Sequence, residues 1–288
     1  MRKYFSLTYN YIKRNWLSVL LHVLFPALLY AYFINPTSSF DYIMENISIL
    51  NAEHAHEIFV TINDGSKWSS WQYIVFYVLV ASITLIVFSS FIGNIQNKMR
   101  YGKTVYGGFK GVFKRTNETL FATVRVAILL VAAMELFALM MSVVLFFAIK
   151  ITSIAAIRII IVVLIGAILI AAMFYGASWI SLALPNMTLR NEGLFKSISR
   201  SMTMVKEKQM KLFVSYIIPL VISYIPLLLF SGLDIAYDNV VLTIVRYIYT
   251  FVFYLFSFAY YIILMYVAFF DINEIEREDL NQVNKWRL

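Results

Sequence analysis

Cysteine is absent from the chain, which excludes disulfides, a thiol nucleophile and any Cys-ligated zinc or iron–sulfur site. Charge is scarce: Asp, Glu, Lys and Arg make up 14% of the residues, against about 25% in an ordinary soluble domain. Enzyme signatures are missing too. No Walker A loop is present for a nucleotide phosphate, no Gly-x-Ser-x-Gly elbow for a serine nucleophile, and no carboxylate cluster suited to two metal ions. Glu53-His54-Ala55-His56-Glu57 has metal-ligand residue types, but histidines two apart do not share a helix face and the zincin spacing is absent. Asp271, Glu274, Glu276, Glu278 and Asp279 read as a solvated helix or tail rather than a catalytic cluster. The chain is expected to be no enzyme and to need no cofactor or metal; an intramembrane enzyme acting on lipids is the least supported class.

What the chain has in excess is apolar surface. Hydrophobic residues make up 61% of its 288 positions, more than a globule of this size can hide, so lipid must cover part of them. The apolar runs predict six transmembrane helices, at about 16–34, 71–93, 119–149, 159–185, 212–232 and 247–270, each long enough for roughly 30 Å of hydrocarbon. The first follows a basic start, as a signal peptide would. It is longer than a usual signal core, and Ile34-Asn35-Pro36 offers no small-x-small cleavage site, so it reads as a retained helix. Six spans leave no room for a soluble domain of typical size, and residues 1–288 read as one all-α, polytopic membrane helical bundle.

The net charge of +8 is mainly a topology signal. Nineteen Lys and Arg residues fall in the N-terminus, the 94–118 loop, the 186–211 loop and the C-terminus. Only Lys67, Lys150, Arg158 and Arg246 fall on the other side, with Arg125 inside a span. The positive-inside rule then predicts both termini in the cytoplasm of a cell (plasma) membrane protein. Anionic lipid head groups are the expected partners of this basic face, and nucleic acid is not. Arg246 and Arg158 are expected to snorkel to the outer surface. The outer loop, residues 35–70, is acidic, and Phe40, Ile43, Ile47, Leu50 and His54 recur in it at helical spacing, which predicts a short surface helix. Asn63-Asp64-Gly65-Ser66 reads as a turn before the second span.

The two large cytoplasmic loops echo each other. Gly107-Gly-Phe-Lys-Gly-Val-Phe-Lys-Arg aligns with Gly193-Leu-Phe-Lys-Ser-Ile-Ser-Arg-Ser, with Gly107/Gly193, Phe109/Phe195 and Lys110/Lys196 identical. Both are expected to be basic amphipathic helices at the inner interface, where Lys110, Lys114, Arg115, Lys196 and Arg200 are candidate contacts for lipid or protein. The segment from Gly193 to Lys208, with its echo and the helix count, resembles a loose bacterial family of poorly characterised six-helix membrane proteins. That family is related to the membrane domain fused to some glycerophosphodiester phosphodiesterases. The resemblance implies a bacterial cytoplasmic membrane location. It does not carry the phosphodiesterase activity, because no such domain accompanies these residues.

Inside the spans, Glu135 stands out. An acidic residue at mid-span costs about 2.5–3.5 kcal/mol on insertion scales and is expected to face the bundle interior. His22 lies at a similar depth, so a His22–Glu135 contact is expected either as an ion or proton site or as a structural hydrogen bond. Pro26, Pro219 and Pro226 break spans and free backbone carbonyls, as interrupted helices in transporters do. Ala167/Ala171 and Ala172/Gly176, with Gly166 beside them, allow close helix packing within the bundle or, less favoured, at a dimer face. The last span is rich in aromatics, read as packing and interface belts rather than a wall for a lipid-like substrate. Two functions are compatible with this inventory. One is a non-catalytic subunit or scaffold engaging partner proteins or lipids at the cytoplasmic face. The other is a small transporter with Glu135 and His22 on the path.

Overall fold

The computed structural model describes residues 2–34, 36–37, 41, 71, 75–102, 108–151, 154–237 and 239–280. Among them the chain is all-helical, with no strand, and six of the helices are long and apolar enough to cross a membrane. The outer-loop helix, the Asn63–Ser66 turn and the Glu53–Glu57 histidines lie outside the described residues.

Helix α1 (Arg2–Arg14) precedes the first span. Tyr4, Thr8, Tyr11 and Asn15 recur every three or four residues and are buried, with Leu7 and Ile12 packed beside them. That stripe faces α9 (Val240–Ile272), and Lys3 Nζ lies 2.5 Å from Asp271 Oδ1 at the end of α9. Asn15 leaves helical geometry, with its side chain returning a 2.9 Å hydrogen bond to the Tyr11 carbonyl, and α2 (Trp16–Phe33) starts beyond it. In α2, Val19, Val23, Pro26, Ala27 and Ala31 form the buried stripe.

The second span begins in a π-helical turn (Val75–Val80) and continues as α3 (Ala81–Tyr101). It closes on Gly102, whose φ of 66° suits a residue without Cβ and lets its N–H bond the Lys98 carbonyl at 3.0 Å. The helix therefore runs well past the expected end at residue 93. The physical reason is that its polar residues find partners on other spans. Asn94 Nδ2 donates to Ser18 Oγ at 2.7 Å and Gln96 Nε2 to the Tyr266 hydroxyl at 3.1 Å.

The third span is part of α4 (Gly108–Ile151), 44 residues long. At 1.5 Å per residue that is about 66 Å, twice the hydrocarbon thickness. The first of the two echoing segments is therefore the opening of this continuous helix. Its counterpart forms a separate helix, α7 (Leu194–Val205). The fourth span, α5 (Ala155–Ile180), breaks at Ser181 and resumes as the short, buried α6 (Ala183–Arg190), which stops at Asn191 in the left-handed region (φ 54°). The hydroxyl of Ser201 on α7 fills the break: it accepts from the Leu182 N–H at 3.0 Å and donates to the Trp179 carbonyl at 2.7 Å.

The last two spans are α8 (Gln209–Tyr237) and α9. Asn239 caps α9, its side chain accepting from the Val241 N–H at 2.8 Å. Both helices outrun their expected limits of 212–232 and 247–270.

The main core gathers where α3, α6, α7, α9 and the start of α8 meet. It is built on Phe91, Ile92, Ile95 and Met99 of α3, Leu212 of α8, and Ile263, Leu264 and the fully buried run Tyr266–Phe270 of α9. A smaller cluster of Ala27, Ala31, Leu227, Phe253 and Tyr254 holds the far end of the bundle.

Candidate functional site

Glu135 and His22 do not meet. His22 Nδ1 donates to the carbonyl of Ser18 on its own helix at 2.7 Å, and its ring stacks on Phe91 at 5.3 Å between centroids. Glu135 is exposed, as are Val131, Ala132, Ala133, Met134 and Leu136 around it. The expectation of an inward-facing carboxyl is thus corrected. The depth of an acid along a span sets its cost, but the choice of face depends on how the helix is packed, and this stretch of α4 is bare nearly all round. Among the described residues none hydrogen-bonds or ion-pairs with Glu135. Arg125 and Lys150 on the same helix are about 15 and 22 Å away by helical rise.

The break at Pro219 is closed by the protein itself. Pro219 has no N–H for the carbonyl of Ser215, and the Tyr260 hydroxyl of α9 donates to that carbonyl at 2.9 Å. Tyr261 does the same for the carbonyl of Tyr216 at 3.0 Å. Pro26 and Pro219 are buried and Pro226 is half-buried. The aromatics of α9 pack within the bundle, with Tyr260 against Phe5 and Phe256, and Phe258 against Tyr30 and Phe88.

Small residues divide into two groups. A Cβ on Gly166 would come within 3.1 Å of Met141 Cε, so α4 and α5 cross closely there. Ala172 and Gly176 are exposed, with nothing near the glycine.

At the basic end, α7 turns Ser197, Ser201 and Val205 into the core. Its outer face presents Phe195 (85% exposed) and Met202, flanked by exposed Lys196. Such a face, apolar at the centre with a lysine at its edge, has the chemistry of an interfacial helix. Arg200, itself partly exposed, is paired to the buried carboxylate of Glu192. Lys114 is exposed on α4, and Lys110 and Arg115 belong to the same helix. Asp271 is paired with Lys3, which ties α1 to the end of α9, and Asp279 is held by its near neighbour Arg277, with bonds of 3.0 and 2.7 Å, within the tail.

The far end holds a constellation that sequence reasoning missed. Arg246 Nη1 lies 3.1 Å from Asp234 Oδ2 and 3.7 Å from Asp41 Oδ2. Thr243 donates to Asp234 at 2.6 Å, and the hydroxyls of Thr37 and Ser231 donate to Asp41. Tyr224 reaches the Pro36 carbonyl at 2.7 Å. Arg246 is thus an ion-paired clamp between α8, α9 and the segment after α2, and the expected snorkelling is replaced by pairing. The signal available was an Asp and an Arg closing opposite ends of consecutive spans. A further missed element is α1, whose aromatic stripe at helical spacing was present to be read.

Among the described residues no group of three or more His, Asp or Glu side chains is placed to hold a metal ion. Comparison of the chain with family models, curated proteins and solved structures finds no match.

Proposed function

We propose that this multi-pass membrane protein is a non-catalytic scaffold or accessory subunit, with its basic end in the cytoplasm engaging lipid head groups and partner proteins. The observation that carries this reading is where the intramembrane polar groups go. Several of them fasten one helix to another: Asn94 to Ser18, Gln96 to Tyr266, Tyr266 to Thr188 at 2.8 Å, and Tyr260 to the carbonyl that Pro219 frees. A transport path through Glu135 and His22 requires both to line one passage, and one of them is exposed while the other is bonded within its own helix. The surfaces left for contact are Phe195, Met202, Lys196 and Lys114 at the basic end. The orientation rests on the distribution of Lys and Arg, and kinship to the six-helix bacterial family rests on the Gly193–Lys208 pattern.

The test is mass spectrometry of the tagged chain, extracted gently from its native membrane, with copurifying proteins and lipids identified. A stoichiometric partner that is lost in Lys114→Gln/Lys196→Gln/Phe195→Ser supports the scaffold. A partner-free protein that retains one solute, and loses it in His22→Ala, would overturn it in favour of transport.

A further inference from the structure

The scaffold reading does not account for the middle of α4. Taking 100° per residue, Ile128, Val131, Ala132 and Leu139 lie within about 60° of Glu135 on the helix surface. Ala138, about 60° away on the other side of Glu135, is buried and bounds the face, while those four and Glu135 are exposed. Their three-and-four spacing is that of a seam between two helices, and Ala132 beside Glu135 leaves room for close approach.

A carboxyl facing hydrocarbon is satisfied by a group at its own depth that can both donate and accept a hydrogen bond. A second copy of this chain, inserted in the same orientation, supplies that group. A two-fold axis along the membrane normal brings Glu135 of each copy to the same height, as any isologous contact does for a residue on its axis. Two carboxyls sharing protons are self-complementary, each O–H donating to the other's carbonyl oxygen. Among the described residues of a single chain no group pairs with Glu135, and Arg125 and Lys150 are out of reach along α4.

We infer that the Ile128–Leu139 face of α4 is a homodimer seam with Glu135 paired to its counterpart at the centre. This rests on the scaffold reading and names its first partner as the chain itself.

The absence of cysteine makes the test clean. Single-cysteine variants of the full chain in native membranes are oxidised and resolved without reductant. Ile128→Cys, Val131→Cys and Leu139→Cys should give disulfide-linked dimers. Leu130→Cys and Met140→Cys, equally exposed but on the opposite side of the helix, should give about tenfold less. In the Leu139→Cys chain, Glu135→Gln keeps a donor and an acceptor and should retain the cross-link. Glu135→Leu should reduce it by about tenfold. Equal cross-linking on both sides, no dimer from the seam positions, a cross-link to a different protein, or an unchanged yield in Glu135→Leu would each overturn the inference. A copurifying partner lost on neutralising Lys114 and Lys196 would survive all of these outcomes, so failure of the seam is distinguishable from failure of the scaffold.

Discussion

The third and last spans are built from similarly apolar sequence and end in opposite environments. Half of the most apolar window of α9 is buried, against 6% of that of α4, although α4 is the more apolar of the two. In water this order would be perverse. In lipid there is no hydrophobic drive between helices, because the tails are as apolar as leucine. What buries α9 is shape and hydrogen bonding: interlocking aromatics, tyrosines reaching the carbonyls of α8, and Tyr266 joined to both α3 and α6. Helix α4 between residues 128 and 136 has the apolarity without such devices, and its one polar side chain is Glu135.

The comparison is broken most severely at Tyr266, which is fully buried and hydrogen-bonded to Gln96 and Thr188. Tyr266→Ala should cost about 3–5 kcal/mol, the range for removing a buried aromatic ring. Leu136→Ala on the bare stretch of α4 should stay within about 0.5 kcal/mol, as exposed substitutions do. Thermal unfolding in one detergent measures both. Equal losses would mean that α4 is packed in the isolated chain and that the contrast is false.

Next in size is the far-end clamp. Arg246→Ala removes the guanidinium that Asp234 and, at 3.7 Å, Asp41 share, at an expected cost of about 2–3 kcal/mol. That is below the range for a fully buried pair, because the Arg246 side chain keeps 18% exposure and solvent screens it. Asp234→Asn added to Arg246→Ala should recover part of the loss, a non-additivity that a double-mutant cycle reads directly. Additive losses would show that the two side chains are not coupled, and the clamp would reduce to the hydroxyls around Asp41.

Six helices were legible in the sequence because a span must satisfy its backbone internally and is therefore a long apolar run. Their limits were not. Asn94, Gln96 and Arg246 look like loop residues until their partners Ser18, Tyr266 and Asp234 are known, and the first two of those partners lie far away in sequence. The likeness between residues 107–115 and 193–201 is present in the letters, yet one segment opens the 44-residue α4 and the other heads a helix of 12. Local pattern specified helix in both cases. The difference lies in the residues C-terminal to each segment: in α4 a long, mostly apolar run without a helix breaker, and after α7 a turn before Gln209. At the candidate site, the sequence singled out Glu135 for its cost at mid-span but placed it facing the bundle, whereas it is exposed. The cost of a carboxyl in hydrocarbon says that it needs a partner, and says nothing of whether that partner belongs to the same chain.

The smallest effect concerns α1, which joins the bundle through tyrosines rather than aliphatic residues. Burial pushes the hydroxyls of Tyr4 and Tyr11 above the ordinary tyrosine value of 10.0, and the neighbouring charges of Asp271 and Asp279 push the same way, with Arg277 opposing at Tyr11. A group whose pKa is raised in the docked state contributes stability that is fully present below its undocked pKa and is lost as pH rises through the docked one. Docking of α1 should therefore be insensitive to pH across the neutral range and weaken only above pH 10. Protease cleavage within residues 2–14 at graded pH reads this, with a protease active over the whole window. The Tyr4→Phe/Tyr11→Phe chain, which has nothing to ionise at these positions, should stay protected where the parent opens. Protection lost in both at the same pH would show that ionisation of Tyr4 and Tyr11 does not open α1, and the tyrosine stripe would then be holding α1 by shape alone.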